Sequence, residues 1–309
     1  MYRRNHSTPD VPSKQITVAK CYYCGTSRFS TMYRILGDKT NPLGSDLVSC
    51  DVCELAFVSP RCTEEYLKES YSEDYFTSVI RDVSGVDRCF IWEREAKVRD
   101  HRLENGYVSG LLKGGRVLDF GSGPGFFFDA LDGYWEKYAI DLSSYALDQI
   151  TDPHIEKYCG ELMNAGYPSE FFDFIHCRHV LDRMENPAGI LKECERIMKR
   201  HGVLVVTVPN ISSICAKIFK SRFRLLYTNH LIYFSPTTLG RFLEDAGFDV
   251  REVRYPFWGS SFFDGRALIG SIGKIIFQAF ALKLGVKKVF WPSPPFFGSV
   301  MTVVATKRG

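Results

Sequence analysis

The chain has 309 residues, 45% of them hydrophobic and 24% charged, with a formal net charge of +3 at pH 7. That length can bury a full core, and so small a charge excludes a strong overall field and wholesale wrapping of nucleic acid. No uncharged apolar run reaches the roughly eighteen residues of a membrane span, and ten cysteines point to metal or free thiols in a reducing cytoplasm rather than a disulfide scaffold.

In chain order, residues 1–16 read as a polar, flexible tail without the apolar centre of a signal peptide. Residues 17–62 read as a compact ribbon built on Cys21-Tyr-Tyr-Cys24 and Cys50-Asp-Val-Cys53. Each Cys-x-x-Cys knuckle can set two thiolates on one face of a turn, and two knuckles complete a closed, tetrahedral zinc site. The unit holds too few Lys and Arg for a nucleic-acid stripe, so a structural lid or arm is expected. The other cysteines (Cys62, Cys89, Cys159, Cys177, Cys194, Cys215) lack ligand spacing and are expected as small buried apolar residues.

Residues 63–112 are expected to form a helical linker or lid, with a helix over Thr63–Tyr71 capped by Thr63 and another over Phe90–Leu112 stopped by Lys113-Gly114-Gly115. From residue 113 onward, strands and helices alternate. Strands are predicted at Arg116–Phe120, Glu136–Asp141, His154–Tyr158, Phe172–Cys177, Gly202–Val208 and Asp249–Tyr255. Helices are predicted at Phe126–Leu131, Ser144–Thr151, Pro187–Lys199 and Thr237–Ala246. Such alternation gives an α/β fold, a parallel sheet with helices on both faces and a ligand at the strands' carboxyl ends. Gly298–Lys307 reads as a last strand closing the sheet edge beside its predecessor.

Val117-Leu118-Asp119-Phe120-Gly121-Ser122-Gly123-Pro124-Gly125 is an apolar run ending in an acid and a glycine-rich turn, and Ala139-Ile140-Asp141-Leu142 is a second such run. Glycines let backbone approach a ligand without a Cβ in the way, and Asp141 can accept a bidentate hydrogen bond from a ribose diol. The acid before the loop would repel a pyrophosphate and suits a cationic amino-acid moiety, and no P-loop pattern occurs. From Arg251 to the end the chain carries nine Lys/Arg against two Asp/Glu, interleaved with aromatic residues. There Leu268, Ile272, Ile275, Ile276 and Leu282 fall near one helical stripe beside Lys274, Lys283, Lys287 and Lys288. That stripe packs on the sheet or makes a peripheral membrane contact.

The glycine-rich segment resembles the first motif of class I S-adenosylmethionine-dependent methyltransferases. The order of the cysteine ribbon, Phe57-Val58-Ser59-Pro60-Arg61, Tyr71-Ser72-Glu73-Asp74-Tyr75-Phe76, Phe172–Pro187, Val208-Pro209-Asn210 and His230-Leu231-Ile232-Tyr233-Phe234-Ser235 is similar to that of zinc-bearing methyltransferases from bacterial sugar and glycan loci. The resemblance implies a Rossmann-like methyltransferase domain over residues 113–309. It implies that Asp119, Gly121, Gly123 and Gly125 shape the methionine end of the cofactor site, that Asp141 takes the ribose with Leu142 on the adenine, and that Glu161 and Leu162 meet the adenine edge. It further implies His230 as general base, with Tyr227 three residues before it and His179 facing cofactor or substrate. Asn229 stands where the family has Glu, and Asp182-Arg183 where it has Glu-His. With no carboxylate at position 229, activity is expected to rise with pH as for an ordinary imidazole.

These readings combine into O-methylation of a sugar, sugar nucleotide or glycan-like small acceptor, as in polysaccharide biosynthesis. Lys217, Lys220, Arg222 and Arg224 are expected over a phosphorylated acceptor. The alternatives are an RNA or protein acceptor delivered by the ribbon, and an inactive cofactor-binding scaffold.

Overall fold

The structure, a computed structural model, describes residues 15–35, 44–81, 87–261, 265–285, 293–294 and 296–309. Most of the expected tail lies outside that set, but Gln15–Ile16 (β1) pairs with Arg61–Cys62 (β5). Between them Phe29–Ile35 (β2), Ser45–Cys50 (β3) and Ala56–Ser59 (β4) form an antiparallel meander. Two short helices follow, Glu64–Ser70 (α1) and Glu73–Thr77 (α2), then the ladder of Ile80–Arg81 (β6) with Asp87–Arg88 (β7). The Thr63 hydroxyl accepts from the Tyr66 N–H at 3.4 Å and caps α1 as anticipated. The helix expected over Phe90–Leu112 starts as a 3-10 turn at Ile91–Glu93 and runs as Arg94–Val108 (α3), ending ahead of Ser109-Gly110.

Seven strands build the main sheet: Gly114–Phe120 (β8), Tyr134–Asp141 (β9), Ile155–Cys159 (β10), Phe172–Arg178 (β11), Met198–Pro209 (β12), Phe248–Arg254 (β14) and Val300–Lys307 (β15). A further pair, Ile232–Tyr233 (β13), lies elsewhere. The spatial order is β10-β9-β8-β11-β12-β15-β14, parallel except for β15, which is antiparallel to both neighbours. Helices Ser144–Asp148 (α4), Pro187–Ile197 (α5), Ile214–Phe219 (α6), Pro236–Ala246 (α7) and Gly265–Lys283 (α8) complete the α/β fold anticipated from the alternation.

The sheet is parallel because both faces are covered, and its residues divide between them with a period of two. Val117, Phe174, Val203, Val205 and Val304 face one core, shared with Val108 of α3 and Leu147 of α4. Their neighbours Leu118, Ile175, Leu204, Val206 and Val303 face the other, shared with Leu191 of α5 and Leu239 and Leu243 of α7.

Two local expectations fail for physical reasons. Phe126–Leu131 is not a helix but a 3-10 turn at Phe128–Ala130. Phe126, Phe127 and Phe128 are all buried, and three consecutive residues cannot share one helix face, so the chain turns to bury each separately. The last strand does not close the edge, since β15 inserts between β12 and β14 and leaves β14 outermost. Its residues Val300–Ala305 are buried without alternation, which marks an interior strand.

The cysteine unit is joined to the main body. Strand β13, which comes from the far side of the chain, pairs with β4, placing Ile232 opposite Phe57 and Tyr233 opposite Ala56. Cys53, Leu55 and Phe57 pack in the same core as Leu118, Ile175 and Phe234.

Candidate active site

The order of the sheet reverses between β8 and β11, so the connections beyond them leave on opposite faces and a crevice opens at their carboxyl ends. A cavity of about 730 Å³ fills this crevice. Asp119, Gly121, Gly123, Asp141, Leu142, Glu161 and Leu162 line it, as do His179, Tyr227 and His230. Gly125 lies behind the wall, where a Cβ would come within 2.8 Å of Ile150.

The glycine loop is tied to the neighbouring strand by Gly121 N–H and Ser122 N–H, both donating to the Ile140 carbonyl at 2.8 and 3.1 Å. A Cβ on Gly121 would meet Val180 at 2.2 Å, whereas one on Gly123 would meet nothing closer than Phe90 at 3.8 Å and would project into the cavity. Asp141 accepts from the Gly123 N–H at 2.8 Å and the Ser143 N–H at 2.9 Å, which fixes its carboxylate at the rim of the loop. Burial pushes its carboxyl above the ordinary range, against the pull of those N–H donors. Glu161 forms an ion pair with Lys68 of α1, and both line this end of the cavity.

Asp119 faces a second acid through a histidine. His176 Nδ1 lies 2.7 Å from Asp119 and its Nε2 lies 3.1 Å from Glu104, all three being buried. Arg178 pairs with Glu104 and, at 3.2 Å, with Asp100, which also accepts from the Ser261 N–H at 2.6 Å. Burial alone would push the His176 imidazole down, but its hydrogen bonds to Asp119 and Glu104 override this and raise it to about 9. Burial likewise raises Glu104, and Arg178 and His176 more than reverse it, holding Glu104 far below the carboxylate range. His101 is close to the same pair, but Arg178 already occupies Glu104, so the trio is a charge network rather than a metal cage.

Opposite this floor, His230 Nδ1 sits 2.9 Å from Asp182 Oδ2, a close contact whose angle departs from that of an aligned hydrogen bond. Arg183 donates to His230 Nε2 at 3.3 Å and to the Tyr71 hydroxyl at 2.8 Å. Burial raises the Asp182 carboxyl, and its interactions with His230 and Arg183 overcome it, holding Asp182 below its ordinary range. A carboxylate therefore does stand beside His230, that of Asp182 rather than of residue 229. Backbone bonds fix the pair, with Leu231 N–H donating to the Asp182 carbonyl and Val58 N–H donating to the Leu231 carbonyl, each at 2.9 Å. Tyr227 is half exposed, its ring 5.4 Å from that of His230.

His179 stands at the end of β11 with φ +54, donating its N–H to the Thr207 carbonyl at 2.7 Å. Burial and Arg178 push its imidazole well below the usual value, so it is neutral. Of the four cations expected over the acceptor, Arg224 lines the cavity, while Lys217 and Lys220 line a separate hollow against Met32 and Tyr33. The sequence signal missed Asp182, Arg183, His176 and Glu104. Asp182-Arg183 was visible as a departure from the family pattern, whereas Glu104 on α3 carried no signal at all.

Cys21, Cys24, Cys50 and Cys53 converge, their sulfurs all within 4.8 Å of one another. The two knuckles repeat one turn: Gly25 (φ +70) donates to the Cys21 carbonyl, and Glu54 (φ +63) to the Cys50 carbonyl. Zinc–sulfur bonds of about 2.3 Å place tetrahedral sulfurs roughly 3.8 Å apart, close to the 3.5 Å of the Cys21–Cys53 and Cys24–Cys50 pairs.

A methyltransferase-domain family model matches residues 92–253, just over half of the chain. The ubiquinone biosynthesis O-methyltransferase of Thiobacillus denitrificans is 26% identical over 159 residues, covering 46% of this chain and 68% of the relative. The tRNA U34 carboxymethyltransferase of Hydrogenovibrio crunogenus is 26% identical over 151 residues, covering 44% and 45%. Among solved structures, a chain of the complex containing the Haloferax volcanii Trm112 methyltransferase activator superposes with a TM-score of 0.52 at 13% identity, covering 71% of this chain and 94% of that one.

Proposed function

The chain belongs to the methyltransferase-domain family and is an S-adenosylmethionine-dependent methyltransferase, and on that premise we propose that it methylates a hydroxyl of a small, ring-bearing acceptor, with His230 as base. The observation that carries this reading is the Asp182–His230 pair, whose histidine lines the same cavity as the glycine loop and Asp141. The open space above Gly123 and the fixed carboxylate of Asp141 fit the cofactor, which when bound supplies a methyl group on a sulfonium. Asp141 would take the ribose hydroxyls with lone pairs its two N–H donors leave free, and Leu142 and Leu162 would flank the adenine. His230 Nε2 would accept the hydroxyl proton in place of Arg183, while ionised Asp182 stabilises the imidazolium that forms. Arg183, held by Tyr71, would lend positive charge to the acceptor oxygen as its proton leaves. Transfer would owe most to holding the two reactants in line.

The ring-lined wall of Tyr71, Tyr75, Phe76, Phe90 and Phe126 favours an apolar, aromatic acceptor. The relatives named for ubiquinone biosynthesis agree with it. The sugar or glycan acceptor expected from the sequence, and with it a part in polysaccharide biosynthesis, finds no support in these relatives. The tRNA-modifying relative keeps an RNA acceptor as a second reading. We assign residues 17–62 to a structural zinc unit held by Cys21, Cys24, Cys50 and Cys53, 63–112 to a lid and 113–309 to the catalytic domain. A panel of dihydroxyphenyl, monosaccharide, sugar-nucleotide and tRNA acceptors with methyl-labelled cofactor tests the proposal. Label should enter the dihydroxyphenyl compounds, and transfer confined to the sugars or to tRNA would overturn it.

A further inference from the structure

Helix α8 carries an outward apolar face. Ile269 is 81% exposed, Ile272 42%, Ile276 63% and Phe280 60%, and Leu284 just beyond the helix is 67% exposed. Their spacing of three and four residues lays them along one side of the helix. The opposite side is anchored, with Ile275 packed on the buried cluster of Cys215, Phe219 and Phe223 that α6 and its following turn provide. The stripe anticipated from the sequence therefore does not pack wholly on the sheet. Leu268, Lys287 and Lys288 fall outside the described side chains.

The charged residues of α6, α8 and the segments that follow them have one sign. Residues 211–235 and 265–309 contain no Asp or Glu at all. Exposed Lys274 and Lys283 on α8 and exposed Lys217, Lys220 and Arg222 on α6 and its turn supply only positive charge. An apolar stripe flanked by cations on an anchored helix matches the requirements of the membrane interface, where side chains enter the acyl boundary and lysines meet anionic headgroups. No helix among the described residues is long and apolar enough to cross a membrane, so the contact is with the surface. Arg224, Leu225 and Tyr227, which follow α6, and Ser261, shortly before α8, line the cavity.

We propose that α6 and α8 form a docking surface for an anionic lipid bilayer, which brings the cavity to acceptors carried by the membrane; only this last clause rests on the methyltransferase reading. The test is flotation of the full chain with vesicles of phosphatidylcholine alone and of phosphatidylcholine mixed with phosphatidylglycerol. The chain should float with the mixed vesicles, less so at high salt, and stay below with phosphatidylcholine. The double variant Ile272→Asp, Ile276→Asp should lose about tenfold or more in vesicle affinity, and Lys274→Glu a smaller part, both keeping wild-type cofactor affinity by calorimetry. A wild-type chain that stays in the dense fraction, or an aspartate variant that floats unchanged, overturns the proposal. A dimer in light scattering that the same substitutions dissolve, without vesicle binding, assigns the face instead to a second copy of the chain. Because cofactor binding is read separately, loss of docking leaves the methyltransferase reading untouched, and loss of cofactor binding leaves the docking result intact.

Discussion

His230 and His176 are both buried imidazoles beside carboxylates, yet their surroundings set them to different work. His230 has one acid and one cation next to it and lines the cavity, the place the proposed base must occupy. Replacing it with alanine should lower turnover about 10²–10⁴-fold while leaving cofactor affinity near wild type. Asp182→Asn should lower turnover too, by less, because it removes support for the imidazolium rather than the base itself. Steady-state kinetics beside calorimetry separates these outcomes, and a His230→Ala enzyme with most of its activity would transfer the base role to His179 or to none. His176 is clamped by acids on both nitrogens and is held protonated. Its folded value of about 9 exceeds the ordinary 6.5, so the stability it contributes is fully present below about pH 6.5 and is lost as pH rises through about 9. Denaturant unfolding should show a decline of up to about 3 kcal/mol across that window, and His176→Leu should flatten it.

Among the elements, the β8 loop and the end of β9 bear the cofactor claim. Asp141→Ala should weaken S-adenosylmethionine binding by about 1–3 kcal/mol through lost charge-assisted bonds. Gly123→Val should weaken it further, at some cost in stability from the positive φ of that residue, whereas Gly121→Val should destabilise the fold more because Val180 also stands in its way. Calorimetry with thermal melts distinguishes the three. These strands were legible in the sequence because their apolar runs and terminal acids are local signals. So were the cysteine knuckles, whose spacing alone brings four sulfurs together. The helix after the loop was misread because three adjacent phenylalanines look like a helical core from any window, and only the packing shows each buried in its own direction. The antiparallel place of β15 and the reach of Glu104 to His176 depend on contacts across 72 or more residues, which no local pattern carries.

For the molecule as a whole, the cysteine unit and the catalytic body are one packed object. Deleting residues 1–62 should not leave a soluble methyltransferase domain, because Leu55 and Phe57 fill the same core as Leu118 and Phe234. Chelation or Cys50→Ser should remove about one zinc per chain and lower the melting temperature of the entire chain in a single transition rather than release a small module. Metal analysis with differential scanning calorimetry reads both, and a variant that keeps its melting temperature and its activity would detach the unit from the fold.

Two backbone hydrogen bonds in series, Val58 to Leu231 and Leu231 to Asp182 beside the β4–β13 pair, run from the cysteine unit to the acid next to His230. With zinc in its cage, metal and acceptor become linked ligands of one scaffold. Whatever factor zinc adds to the affinity for acceptor, acceptor must add to the affinity for zinc. A saturating acceptor should therefore slow the escape of zinc to a chelator, a signal legible without following methyl transfer.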